Sequence, residues 1–153
     1  LFLQMNKLNL LNSLTALGVL YATMQFPFAI FLLTGFLRSI PRDYEEAAMI
    51  DGATQLEQVT KIVLPLAKPT IAVTAMMVLV YVWNEYIFAI NFMTGSDTYT
   101  LAAGLYSLQA TEMSGSWPIF SAASLIVSLP ILIVFFALQK NMTEGLTSGG
   151  VKG

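Results

Sequence analysis

LNLLNSLTALGVLYATMQFPFAIFLLTGFL, residues 8–37, runs for 30 positions without an Asp, Glu, Lys or Arg. A bilayer core of ~30 Å needs about 20 apolar residues at ~1.5 Å rise each, so this stretch is long enough to cross. It does not fit a secretory signal, being too long, with no charged cluster before it and no small-x-small cleavage pattern. Met113 to Gln139 is a second charge-free run, of 27 residues. Between the two, Pro69 to Asn84 gives 16, Glu85 interrupts, and Tyr86 to Ser96 adds 11. The pattern predicts an all-α integral membrane protein with three transmembrane helices at about 14–37, 70–93 and 118–139. Pro69 and Pro118 fit first-turn positions, where a missing N–H leaves no intrahelical bond unmade. Pro27 and Pro130 lie mid-span, where neighbouring groups re-satisfy the freed carbonyls and kinks are expected.

Composition agrees. Of 153 residues, 56% are hydrophobic and 10% charged, against the ~25% charge of an ordinary soluble domain. There is no Cys and no His, which excludes a disulfide scaffold, a thiol nucleophile, an imidazole acid–base centre and any Cys/His metal site. Seven basic residues against nine acidic ones offer no surface for nucleic acid. No carboxylate pair or Ser/Lys dyad falls at a shared membrane depth, so the chain is not expected to be an enzyme, nor to hold a metal.

The few charges set the orientation. Arg38, Arg42, Lys61 and Lys68 fall between the first two spans, and Lys140 and Lys152 in the segment after the third; only Lys7 lies elsewhere. Three crossings put loop 38–68 and tail 140–153 on one side, and the excess of basic residues makes that side cytoplasmic. Trp83, Tyr86, Phe88, Phe92 and Trp117 then sit near the opposite face as an aromatic belt. Residues 94–117 form an outer loop.

Loop 38–68 carries its own structural signals. Pro41 opens a short helix with Asp43, Glu45 and Glu46 in its first turns, favourable against the helix dipole. Gly52 closes it in the left-handed conformation. Thr54 and Glu57 form a capping box for a second helix. Leu56, Val59, Ile62 and Val63 share a face of that helix, and Pro65 stops it. The result is a two-helix hairpin over about 41–65. Its first helix offers Ala47 and Ala48 beside Glu46 and Arg42, a small-residue ridge suited to docking on a protein rather than burial in lipid.

Glu46-Ala47-Ala48, three residues, Gly52, nine residues, Ile62, one residue, Leu64-Pro65 resembles, at every fixed position, the EAA loop of bacterial binding-protein-dependent ABC importer permeases. Ile40-Pro41 and Ile50-Asp51-Gly52-Ala53 resemble the carbohydrate-uptake branch, the maltose and glycerol-phosphate type. Trp83-Asn84-Glu85, Thr100-Leu101, Gly104-Leu105, Gly145-Leu146-Thr147 and Val151-Lys152-Gly153 extend the likeness over nearly the whole chain. The resemblance implies a permease subunit that imports a sugar or related small solute across the bacterial inner membrane, with its C-terminus cytoplasmic. It implies as partners a dimer of ATP-binding subunits, a second permease, an extracytoplasmic solute-binding protein and membrane lipid. ATP and Mg belong to the ATPase; this chain binds no cofactor. Glu46, Ala47, Ala48, Asp51, Gly52, Ile62, Leu64 and Pro65 become the ATPase-coupling residues, and Gly145 and Lys152 an additional tail contact. Val59 stands where the family has an aromatic, and Asn141 to Glu144 depart from its aromatic and basic tail.

The substrate pathway is less defined. Glu85 is the one charged residue inside a span, ~24 Å along from Pro69 at helical rise, and intramembrane carboxylates usually face a bundle interior or a water path. It is read equally as a pathway residue or as a lodged structural acid. Trp83 and Asn84 beside it suit stacking on and hydrogen bonding to a sugar, or interfacial anchoring. Gln25 and Asn91 are read as interhelical hydrogen bonds. Gly145 to Lys152 mimics a phosphate loop, but Val151 occupies the lysine position, so ATP must be bound elsewhere. Asn141-Met142-Thr143 fits a glycosylation acceptor only on the wrong side of the membrane. The missing initial Met reads as truncation, making 1–153 the C-terminal part of a longer permease. The alternative is a small structural or regulatory membrane subunit that docks a cytoplasmic partner without transporting.

Overall fold

The structure is a computed structural model and describes residues 1–110 and 117–149. Its elements are α1 (Phe2–Lys7), α2 (Leu14–Leu37), α3 (Asp43–Ile50), α4 (Gln55–Gln58), a π-helical turn (Val59–Val63), α5 (Leu64–Asn84), α6 (Ile87–Phe92), a 3-10 turn (Ser96–Thr98), α7 (Leu101–Ala110) and α8 (Trp117–Gly149). No strand occurs among the described residues. Among the described residues, three helices are long and apolar enough to cross a membrane: Leu14–Leu37, Gln55–Asn84 and Trp117–Lys140. Phe31, Leu125, Ile126 and Ile133 are among the large apolar side chains left exposed along α2 and α8. Exposing such a side chain to water costs about 1.5–3 kcal/mol, which a lipid or protein neighbour removes.

The expected first and third spans coincide with α2 and α8, and Pro118 lies in the first turn of α8 as expected. Pro27 and Pro130 sit inside continuous helices. The second span differs. Pro65 does not stop the helix: α4, the π turn and α5 form one continuous helix of 30 residues, Gln55–Asn84, and Pro69 lies inside it rather than in its first turn. A proline ring clashes with the carbonyl four residues earlier, here Lys61. The π turn widens the helix around that carbonyl, with the Leu64 N–H reaching back to Val59. The span also ends early: α5 stops at Asn84, and residues 87–92 form the separate α6.

Two further elements lie in segments read as loop or tail. Residues 94–117 contain α7, and α8 runs through Gly149. Leu101, Leu105 and Leu108 recur at helical spacing, a signal masked by the surrounding Gly, Ser and Thr. Extending an already nucleated helix past Lys140 fixes one residue per added hydrogen bond, so no strong propensity is required.

The chain divides into two compact units. The first comprises Leu1–Gln25 and Leu79–Val134. Its core is Met5, Leu17, Tyr21, Ala89, Phe92, Met93 and Ala103. Phe2 stacks on Phe92 with ring centroids 6.2 Å apart, and Phe88 stacks on Phe92 at 6.0 Å. Phe92 is therefore a core residue, not part of an interfacial aromatic belt. Asn12, at φ +59, ties this core together. Its N–H donates to the Phe92 carbonyl at 2.9 Å, while its Oδ1 accepts from the Thr94 and Gly95 N–H groups at 2.7 and 3.2 Å. The end of α6 is thus capped from a distant part of the chain. Asn91, expected to bridge helices, instead donates to the Ile87 carbonyl of its own helix at 2.6 Å. The second unit comprises Phe26–Val78 and Phe135–Gly153 and holds the 41–65 hairpin.

Candidate functional site

The hairpin begins where Pro41 and Arg42 supply carbonyls to the first turn of α3: the Tyr44 N–H donates to Pro41 at 3.4 Å, and those of Glu45 and Glu46 to Arg42 at 2.9 Å. Asp43, Glu45 and Glu46 occupy that turn, offsetting its unpaired N–H groups and the dipole. At the other end, the Gly52 N–H donates to the Met49 carbonyl at 3.1 Å and the Ala53 N–H to Ala48 at 2.9 Å. This bond pair is a Schellman motif, with Gly52 at φ +77 in its left-handed position. The second helix starts at the expected box. Glu57 N–H donates to Thr54 Oγ1 at 3.4 Å, and Thr54 N–H to Glu57 Oε2 at 3.0 Å.

Glu57 also pairs with Lys61 at 2.8 Å. The helix Gln55–Asn84 is ~45 Å long and outruns a ~30 Å bilayer core, so its first turns lie beyond the apolar layer. There the Lys61 ammonium and the two Thr54 donors hold the Glu57 carboxyl down at about 2. A depressed carboxylate contributes its stability above the unfolded value of 4.5 and loses it as pH falls through about 2. The cap therefore stays charged throughout the neutral range.

The hairpin surface is partly as expected. Glu46, Ala47, Asp51 and Gly52 are exposed, as are Leu64 and Pro65, with Ile62 half-buried on the π turn. Ala48 is not on the surface of this structure: it is 6% exposed. Instead, Ile50 at 87% and Leu56 at 73% exposure, with Met49 and Tyr44, project apolar groups around Gly52. The sequence reading used Ile50 only as part of the branch motif and passed over Met49. The available signal was an apolar pair at the C-terminal end of a helix too short to need an apolar stripe of its own.

The expected Trp83-Asn84-Glu85 trio is divided. Trp83 and Asn84 line a groove of about 260 Å³ with Tyr86, Tyr106, Gln109 and Phe120. Tyr86 and Tyr106 stack there with centroids 5.1 Å apart. The groove is lined by aromatic rings and two carboxamides, of which that of Asn84 donates to the Val80 carbonyl at 2.8 Å. Tyr106 and Gln109 went unnoticed in the sequence because α7 was read as loop, and Phe120, in the first turns of α8, was read only as part of the third span. Glu85 faces other partners. Its Oε2 accepts from the Tyr21 hydroxyl. Its Oε1 accepts from the Phe88 N–H at 2.9 Å, and Oε2 also accepts from the Ala89 N–H at 3.3 Å. Gly145 lies on the backbone of α8, and Lys152 is outside the described residues. No group of three or more Asp or Glu able to hold a metal occurs among the described residues.

Among the described residues, three membrane-length helices and the absence of strands define a multi-pass α-helical membrane protein. The chain belongs to the family of binding-protein-dependent transport system inner membrane components, whose model matches residues 1–147. It is 39% identical over 153 residues to the sulfoquinovosyl glycerol transport system permease protein SmoH of Agrobacterium fabrum, covering 100% of this chain and 53% of that protein. It is 37% identical over 153 residues to the galactooligosaccharides transport system permease protein GanQ of Bacillus subtilis, covering 100% and 54%. With the trehalose/maltose transport system permease protein MalG of Thermococcus litoralis it shares 35% identity over 153 residues, covering 100% and 55%. The chain spans about half the length of the curated relatives it matches.

Proposed function

We propose that this chain forms part of the translocation subunit of an ATP-driven importer for a sugar or related small solute, and that the 41–65 hairpin is its coupling element. The observation that carries this reading is the hairpin itself. A Schellman end and a capping box fix both sides of Gly52, and Glu46, Ala47, Asp51 and Ile50 stand exposed around it. A surface that is rigid, apolar at its centre and charged at its rim matches a protein dock. Six of the seven basic residues fall within residues 38–68 or 140–153, which supports placing both the hairpin and the C-terminus in the cytoplasm.

The partners are then two ATP-binding subunits, which hold ATP and Mg, a second permease and an external solute-binding protein. The second hairpin helix and the helix ending in Trp83–Asn84 are one continuous element, so closure of the ATPases on the hairpin displaces a helix rather than a loop. That displacement biases the pathway between outward- and inward-facing states. Trp83, Asn84 and Glu85 belong to the pathway, Trp83 and Asn84 as ring and amide contacts. Gly145 and Lys152 add a tail contact to the ATPase.

The test reconstitutes the full-length permease with its ATPase and second permease in liposomes and adds the binding protein. ATP-dependent uptake of maltose, trehalose and galactobiose is then measured. Accumulation of at least one sugar that stops without ATP is expected. A permease that purifies without any ATPase subunit and accumulates none of them would instead be the structural or regulatory subunit.

A further inference from the structure

We infer that Tyr21 and Glu85 form a positioning latch: the carboxylate holds the break between α5 and α6 and thereby fixes the groove formed by the residues on either side of it. The inference rests on the proposed pathway and assigns Glu85 a place in it that is not contact with cargo.

The geometry begins with a helix that stops. The α5 helix ends at Asn84 and α6 starts at Ile87, so the first N–H groups of α6 have no intrahelical acceptors. No cap is supplied by the side chain of the N-cap residue, Tyr86. Glu85 supplies it, receiving the Phe88 and Ala89 N–H groups on its two oxygens at 2.9 and 3.3 Å. Two amides alone leave a lone carboxylate at the end of an apolar span poorly compensated. The further donor is the hydroxyl of Tyr21, on α2, which is 6% exposed. Both oxygens are therefore committed to the protein, and a charge-assisted hydrogen bond ties α2 to the break.

Trp83, Asn84 and Tyr86 flank Glu85 in sequence, and all three line the groove. With Glu85 anchored on the side of Tyr21, its neighbours are held towards Tyr106, Gln109 and Phe120. An unlatched break leaves α6 uncapped, and the groove loses its fixed rim. The acid at the break is thus spent on geometry, and cargo recognition is left to neutral aromatic and amide groups, as suits an uncharged solute.

The experiment uses the full-length permease in its assembled transporter. Hydrogen exchange is followed over residues 86–92, and maltose uptake is resolved into KM and Vmax. Tyr21→Phe removes one oxygen, and Glu85→Gln removes the charge while keeping an acceptor. Each is expected to speed exchange at Phe88 and Ala89 by about tenfold, the worth of one charge-assisted hydrogen bond. The double variant should be no faster than the faster single one, since both act on one latch. The KM for maltose should rise in both, with the amount of permease in the membrane unchanged. Unchanged exchange over 86–92 in Tyr21→Phe overturns the latch. So does a Glu85→Gln variant that shifts KM while Tyr21→Phe does not, because Glu85 is then a direct cargo contact. If Glu85→Gln does not accumulate, Tyr21→Phe alone decides the question. A wild-type transporter that accumulates none of maltose, trehalose and galactobiose counts against the sugar reading, and the exchange rates still decide the latch.

Discussion

Replacing Gly52 with Val is expected to reduce ATP-driven uptake by more than tenfold while leaving the amount of permease in the membrane unchanged. Nothing lies within 4 Å of a Cβ added at Gly52, so overlap is not the cause. The cause is the backbone: φ is +77, a region that costs an L-residue about 1–2 kcal/mol, and more when it is β-branched. The hairpin escapes that strain by changing φ, which breaks the Gly52–Met49 and Ala53–Ala48 hydrogen bonds. The chain then enters Thr54 at a different angle, and Glu46 and Ile50 no longer share a fixed surface with Leu56. Gly52→Asn is the informative control, because Asn tolerates the left-handed region; it should keep most of the uptake. Equal loss in both variants means that the turn acts through something other than its conformation.

Glu46→Arg should be at least as damaging, by a different route. Glu46 is exposed in the first turn of α3. Reversing its charge there forfeits ~0.3–1 kcal/mol of dipole stabilisation, too little to unfold a helix that keeps Asp43 and Glu45. At an interface the same reversal costs several kcal/mol, equivalent to a loss of about a hundredfold or more in affinity. The expected outcome is a permease that inserts normally, loses its ATPase on purification and fails to stimulate ATP hydrolysis. Retained co-purification with unchanged uptake means that Glu46 lies outside the contact.

Much of this was legible in the residues, for identifiable reasons. Charge-free runs located α2 and α8 because nothing but membrane or protein can cover 24 such residues. The turn at Gly52 and the box at Thr54–Glu57 were legible because each depends on neighbours within a few positions. What escaped was decided by contacts between distant residues. Pro65 carries a local stop signal, yet the π turn before it lets the helix continue. Glu85 could be placed in the membrane from the sequence, but its partner Tyr21 lies 64 positions away. Ala48 reads as a docking residue by size alone, and its burial in this structure is not legible from size. The groove was half visible, since Trp83 and Asn84 stand in a recognisable motif while Tyr106, Gln109 and Phe120 come from other helices.

The central claim is that the hairpin surface around Gly52 seats against an ATP-hydrolysing subunit. Ile50, the most exposed large apolar residue of the hairpin, offers the most direct probe, with any native Cys outside residues 1–153 replaced by Ser, since residues 1–153 contain none. An Ile50→Cys permease carrying a benzophenone maleimide is irradiated in membranes containing the assembled transporter, and the adducts are identified by mass. The account predicts a covalent adduct with the ATP-binding subunit. Adducts confined to lipid or to the permease itself, in a transporter that still imports its sugar, would contradict it.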